Sequence, residues 1–262
     1  KKINTAPISG MQELLPREQA IFDQIKSQIM QVYHLHGFNH IETPMIDRTE
    51  ILLAKAGGDT EKQIYKVVKT AETSGDADQA LRFDHTVPLA RYVVEHQNNL
   101  AFPFRVSQFG RNFRGERAQK GRFREFYQMD ADIIGRNTLP IGYDAEVVAT
   151  AFHALSQFVK TPILVRLSNR KILAGILEAL ALTGKSSEIY GIIDHAEKVP
   201  TEVTEAKLHE QVSDESKVQT LLQFVQIRGP RTEVVEKLVA LGIDNETFMT
   251  GVSELLLVLD LL

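Results

Sequence analysis

The stretch RNFRGERAQKGRFREFYQMD, residues 111–130, joins a concentration of positive charge to an alternation of aromatic and polar residues. Arginine and lysine occupy six positions between 111 and 124, although the whole chain carries a net charge of −4. A basic patch on an acidic chain indicates local contact with an anion. The alternation that follows has the period of two expected of a β-strand. The stretch therefore predicts a strand that begins beside an anion site.

A hairpin is predicted around this stretch, with strands at roughly 103–114 and 122–134 and GERAQKG as the connecting loop. Residues two apart in a strand share a face. In the first strand, one face holds Gln108, Asn112 and Arg114. One face of the second strand holds a graded series: Arg122, Arg124, Phe126, Gln128, Asp130 and Asp132.

The series predicts a site that changes character along the sheet. Guanidinium groups near the loop match phosphate oxygens, and an aromatic ring further along can stack on a base. Gln128 and Asp132, an amide and a carboxylate on one face, suit a small ligand that is cationic or carries N–H groups. A surface hairpin with its charges in water would show the same alternation, so this alternative stays open.

A second constellation is LRFDHTVPLARY, residues 81–92. Asp84 and Thr86 lie two apart, immediately before a predicted helix that carries Pro88 in its first turn. A carboxylate and a hydroxyl placed this way can bind an ammonium group. The alternative is that Thr86 caps the helix and Asp84 favours its dipole.

Hydrophobic periodicity predicts the other elements. Apolar residues four apart predict a helix over 17–36, ended by Gly37, and the segment after residue 170 has helical spacing almost throughout. The composition of residues 53–80 is that of turns and loops. Further strands are predicted at 38–46, 80–85 and 161–169, and a further helix at 144–159. A boundary near residue 170 thus separates a mixed unit from a helical one.

Composition narrows the class of protein. The 262 residues, 43% of them hydrophobic, can bury a core, and no apolar run is long enough to span a membrane. The chain contains no cysteine, which excludes disulfides and thiolate metal sites. The absence of an initiator Met and the apolar end SELLLVLDLL predict a fragment of a longer protein.

Four segments together resemble one family. FRGERAQKGRFREFYQMDADIIG resembles the second signature of class II aminoacyl-tRNA synthetases and, more narrowly, that of histidyl-tRNA synthetases. LRFDHTVPLARYV resembles their histidine-binding segment, GFNHIETP their first signature, and LVRLSNRKILAGIL the entry to a helical insertion domain. The resemblance implies an α+β fold. Its parts are a class II synthetase-type antiparallel sheet flanked by helices, incomplete within residues 1–168, and a helical insertion domain at 170–262.

The resemblance also implies roles for single residues. Arg114 would be catalytic, holding the α-phosphate of ATP, and Mg²⁺ would accompany the phosphates; no metal ligand is expected from the protein. On the nucleotide side, Glu116 would contact adenine, Phe126 would stack on it, and Arg122 would contact the γ-phosphate. On the amino-acid side, the ammonium of histidine would be held by Asp84, Thr86 and Gln128, and its imidazole by Asp132. Pro44 would contact a second subunit.

The implied partners are histidine, ATP and tRNA(His), in a cytoplasmic homodimer without contact to a membrane. The chain lacks the third class II signature and the anticodon domain, so we expect it to be inactive or very weak alone. Two alternatives remain open. One is the histidine-sensing regulatory subunit of ATP phosphoribosyltransferase, a silent paralogue that usually loses the ATP-side residues; the other is a module whose basic loop grips nucleic acid.

Overall fold

The structure, a computed structural model, describes residues 3–54, 58–70 and 77–262. The chain divides into two compact units, Lys1–Ile163 and Leu164–Leu262. The first mixes helices and strands and the second is helical, so the α+β class predicted from the sequence is confirmed. Over the residues described, no helix is both long and apolar enough to cross a membrane.

Among the described residues of the first unit, the strands form two small sheets. They are ordered β1-β5-β6 and β2-β4-β3, and β5 pairs antiparallel with β6 but parallel with β1. The strands are β1 (Asn39–His40), β2 (Ile46–Arg48), β3 (Lys66–Val67), β4 (Gln79–Leu81), β5 (Phe104–Phe113) and β6 (Glu125–Ile134). The helices are α1 (Pro16–Leu35), α2 (Thr49–Leu53), α3 (Gly58–Gln63), α4 (Thr86–His96) and α5 (Gly142–Ser156).

The helix predicted at 17–36 is confirmed as α1. Proline occupies its first turn, and the Glu18 side chain accepts a hydrogen bond from the backbone N–H of Leu15, 2.9 Å away. Gly37 follows the helix with φ of 79°, a conformation that costs glycine little. The predicted apolar face is buried only toward its end, where Tyr33 lies in the core while Ile21 is exposed.

The predicted hairpin is confirmed as β5 and β6. Met129, Ala131 and Ile133 pack against a cluster formed by buried residues of α1, α5 and the turn after α1. The opposite face of β6 is thereby left for the polar series. β6 begins at Glu125 rather than at 122, because the backbone of Arg122 pairs with Gln119 inside the loop.

Three predictions about local structure were wrong. The strand predicted at 38–46 is divided into β1 and β2 around Thr43 and Pro44, since proline cannot donate to a ladder. Residues 161–169 form no strand, because no described strand pairs with them. Residues 53–80 include α3 and β3 besides loops, as pairing of β3 with β4 supplies hydrogen bonds that composition does not reveal; within that range, 55–57 and 71–76 lie outside the described residues.

The second unit is helical, as its periodicity predicted. Its core gathers apolar residues from every helix, including Ile176, Ile189, Leu208 and Leu221, each fully buried. The helices are α6 (Arg170–Ala179), α7 (Ser186–His195), α8 (Thr201–Gln211), α9 (Glu215–Gln226), α10 (Arg231–Ala240) and α11 (Glu246–Leu261). Asn169, Asp214 and Asn245 cap α6, α9 and α11 with their side-chain oxygens.

Candidate active site

The structure brings three of the four residues predicted for the amino-acid end into one cavity. Thr86, Gln128 and Asp132 line a space of about 300 Å³, together with Tyr33 and Asp130. Thr86 comes from the start of α4 and the others from β6 and α1. The remaining lining is Met129, Ala131, Val147 and Ala151. The cavity is therefore lined by polar side chains from α1, α4 and β6 together with apolar residues of β6 and α5.

Asp84, the fourth predicted residue, lies just outside that lining and has a local partner. Its carboxylate accepts a hydrogen bond from the backbone N–H of Val87, 3.2 Å away. Thr86 is the first residue of α4, and the N-cap position before it is held by His85, whose side chain makes no capping hydrogen bond. Thr86 is not the N-cap residue, so the part of the alternative that gave it the capping role is wrong, whereas the part that placed Asp84 at the start of α4 is supported by this hydrogen bond.

Gln128 is oriented by the strand beside it. Asn112, which is fully buried on β5, donates from Nδ2 to Oε1 of Gln128. This contact places the two residues on the same face of the sheet. The Gln128 side chain is therefore held in place before any ligand arrives, and no hydrogen bond from its Nε2 to another described residue is present.

The residues predicted for the nucleotide end cluster beyond Gln128. The Arg114 guanidinium lies over the rings of Phe83 and Phe126, 4.3 and 5.0 Å from their centroids, and its Nε donates to the Phe83 carbonyl at 3.3 Å. Glu116 pairs with Arg122, with 3.1 Å between Oε2 and Nη1. The basic loop thus presents a planar cation over an aromatic plate at the edge of the polar face.

A buried arginine lies against this face beside Gly110, and sequence reasoning gave it no role. Arg82 is 4% exposed and donates to the carbonyls of Thr43 and Arg111, at 2.7 and 2.9 Å. A side chain at Gly110 would collide with the Arg82 guanidinium, so a larger residue there would require this buried arginine to move. Burial, followed by the nearby charge of Arg82, lowers the pKa of His85 to about 4, so this imidazole is neutral at pH 7.

The pKa values of two carboxyl groups on β6 are raised, whereas that of His85 is lowered. Burial raises the pKa of Asp132, and it raises the pKa of Asp130 to about 6 with help from the charges of Asp132 and Asp84. The sequence placed Asp130 on the same face but assigned it no function. The signal that would have found it is the proximity of Asp84 to the two aspartates that line the cavity, which requires the tertiary position of Asp84.

Comparison with known proteins matches nearly the whole chain. Residues 10–259 fit the family description "Histidyl-tRNA synthetase". The chain is 42% identical over 248 residues to the histidine–tRNA ligase of Clostridium tetani, covering 95% of this chain and 55% of that protein. The chain belongs to the histidyl-tRNA synthetase family.

Solved structures of this family agree with the fold. The histidyl-tRNA synthetase from Nostoc sp. PCC 7120 superimposes with a TM-score of 0.86 at 34% identity, covering 99% of this chain and 58% of that one. An "ATP phosphoribosyltransferase regulatory subunit/histidyl-tRNA synthetase" from Bacillus halodurans C gives a TM-score of 0.82 at 20% identity, which is a likeness of fold. The chain spans little more than half the length of the relatives named from Clostridium and Nostoc.

Because the pKa of Asp130 is raised in the folded synthetase-family chain, the contribution of this side chain to folding stability depends on pH. The folded state binds the Asp130 proton more tightly than the unfolded state, whose aspartate titrates near 3.8, so ionised Asp130 destabilises the fold above about pH 6. We expect Asp130→Asn to melt at a higher temperature than the wild type at pH 7.5. The difference should shrink as the pH falls through 6 and vanish toward 4.

Circular-dichroism melting curves between pH 4 and 8 measure this difference. Asp144→Asn, an exposed position in the first turn of α5, makes the same change in net charge outside the cavity and serves as the control. A difference between Asp130→Asn and the wild type that stayed constant across this range would contradict the expectation.

Proposed function

We propose that the protein activates histidine with ATP and transfers it to tRNA(His). The observation that carries the proposal is the arrangement of one sheet face, with Thr86, Gln128 and Asp132 around a cavity and Arg114 over Phe126 beyond it. An amino acid and a nucleotide placed end to end on this face would meet near Arg114. Family membership supports the same assignment.

Each residue would act on a defined group. Thr86, Gln128 and Asp84 would hold the ammonium of histidine, and Asp132 would accept an imidazole N–H. Arg114, now stacked on Phe126, would leave that ring to adenine and bind the α-phosphate; Glu116 would accept from the adenine amino group and Arg122 would bind the γ-phosphate. Mg²⁺ would enter with ATP and neutralise its phosphates.

The reaction would be a displacement at phosphorus. An oxygen of the histidine carboxylate attacks the α-phosphorus, and the bond to pyrophosphate breaks. Negative charge develops on the phosphoryl oxygens during the step, and Arg114 is placed to stabilise it electrostatically. Positioning of the two substrates supplies much of the remaining acceleration, and no general base from the protein is required.

Selection for histidine would depend on Asp132. An apolar side chain in the cavity would leave this carboxylate desolvated and without an N–H donor, at a cost of roughly 1–3 kcal/mol. Histidine supplies the donor, because one nitrogen of neutral imidazole always carries hydrogen.

The test is ATP–pyrophosphate exchange by the complete protein. We expect exchange with histidine and little with leucine, because the leucine side chain carries no N–H group to donate to Asp132. Failure to exchange with any amino acid, from a protein that binds histidine, would instead favour the regulatory subunit of ATP phosphoribosyltransferase. The presence of Arg114, Glu116 and Arg122 argues for exchange, since a silent paralogue does not need ATP-side residues.

We further propose that the protein is a cytoplasmic homodimer. Pro44 is exposed between β1 and β2 and is followed by Met45 and Ile46, which are 49% and 45% exposed. Such an apolar run suits an interface with a second subunit. We assign residues 1–168 to the catalytic core and 170–262 to the helical insertion domain.

A further inference from the structure

From the structure we infer that Asp130 is a further binding residue of the amino-acid cavity, recognising the ligand's ammonium group and coupling its binding to the loss of a proton. The inference rests on the proposed function, which supplies histidine as the ligand. None of the roles implied by the family resemblance falls on Asp130.

Asp130 is placed inside the cavity by the geometry of β6. It lies on this strand between Gln128 and Asp132, two residues from each, so all three project from one face. Within the described part of the chain, no hydrogen bond or ion pair of the protein involves its carboxylate. Gln108, directly opposite on β5, is turned away: its amide donates to the His85 carbonyl and accepts from Thr43.

The surroundings of Asp130 leave an excess of negative charge. Asp84 approaches from the segment before α4, and Asp132 from β6 itself. The cations that face it are Arg82, whose guanidinium already serves two backbone carbonyls, and Arg114, which lies over two aromatic rings. Tyr33 faces it from α1 as a neutral phenol whose pKa is raised further by burial and by the two aspartates. From α5 the cavity receives apolar side chains alone, Val147 and Ala151.

Three carboxylates therefore lie near two guanidinium groups that already interact with other groups of the protein. This excess of negative charge favours a proton bound to Asp130. The raised pKa of Asp130, about 6, is consistent with that surplus. An ammonium group entering the cavity would supply the missing positive charge and favour the ionised carboxylate, so the pKa of Asp130 would fall on binding. Binding would then release a proton near pH 6, and affinity would rise as the pH rises through that value.

The experiment is a calorimetric titration of the complete protein with histidine between pH 5 and 8. We expect Asp130→Asn to raise the Kd for histidine roughly tenfold at pH 8, the loss of one charge-assisted contact, and by little at pH 5. The imidazole of histidine also titrates in this range, but it does so equally with both proteins. The ratio of the two Kd values therefore isolates Asp130.

Two further variants and one further ligand sharpen the result. Asp130→Glu keeps a carboxylate and should restore the pH dependence, and Asp144→Asn should behave like the wild type. Imidazole-4-propionate, which is histidine without its ammonium group, should bind the wild type and Asp130→Asn alike. If Asp130→Asn proved unfolded by circular dichroism, Asp130→Glu and the propionate ligand would still decide the question.

The outcomes separate the two proposals. A Kd ratio for histidine that is the same at pH 5 and pH 8, or an equal loss of imidazole-4-propionate binding in Asp130→Asn, would overturn the role of Asp130 alone. A folded wild-type protein that does not bind histidine at any pH would overturn the proposed function and this role with it.

Discussion

Replacing Arg114 by alanine is expected to lower the rate of ATP–pyrophosphate exchange by roughly 10³-fold, the usual effect of removing a group that stabilises transition-state charge. The guanidinium stands over Phe126, at the junction of the amino-acid cavity and the basic loop. Its interaction with the phosphate strengthens only as charge develops. The loss should therefore appear in kcat more than in the KM for histidine.

Arg114→Lys and Arg17→Ala complete this experiment. Lysine keeps the charge but not the planar fork, so it should recover only part of the activity. Arg17 is exposed in the first turn of α1, and its removal should leave exchange unchanged. If Arg114→Ala raised the KM for histidine and left kcat as it was, Arg114 would be a binding residue and its catalytic assignment would be wrong.

Replacing Gly175 by alanine is expected to destabilise the second unit by about 2–4 kcal/mol, because its helices touch at the backbone. Gly175 lies in α6 against α11, and a Cβ there would overlap the backbone nitrogen of Phe248. At Gly251 of α11, a Cβ would meet the backbone nitrogen of Ile172 at 2.7 Å. The two glycines form a reciprocal contact in which neither backbone can retreat without opening the buried core.

Gly191→Ala is the matched control for this prediction. Gly191 lies in the exposed part of α7, and a Cβ there would meet nothing within 4 Å. Alanine at this position should stabilise the chain by up to about 1 kcal/mol through helix propensity. Urea unfolding monitored by circular dichroism compares the two variants. A Gly175→Ala protein as stable as Gly191→Ala would show that α6 and α11 are not in backbone contact.

Hydrophobic periodicity in the sequence correctly predicted the helices and strands that have one extended apolar face. Helix α1 and the hairpin were found because a period of 3.6 or 2 over ten or more residues cannot be satisfied on another kind of element. The strand predicted at 161–169 failed for the complementary reason. Its apolar residues fit a strand, but a strand also needs a neighbour for its backbone groups, and Leu164 is 78% exposed without one.

The part of the candidate site that lies on strand β6 could be predicted from the sequence. Phe126, Gln128 and Asp132 were grouped correctly, since alternate residues of a strand must share a face. Asp130 satisfied the same rule but had no distinguishing partner in the sequence. Its significance comes from Asp84, which is far away along the chain and close enough in the fold to raise its pKa.

The sequence by itself determined the class of fold, the hairpin with its polar face, the helical second unit and the family, because each is written in local periodicity or in a contiguous motif. Only the tertiary structure decided which carboxylates lie close together, that Arg82 lies buried beside them, and that Asp84 rather than Thr86 satisfies the start of α4. Those facts depend on distances between segments. Charge and burial act through space, so the chemistry of the site appears only once the segments have been brought together.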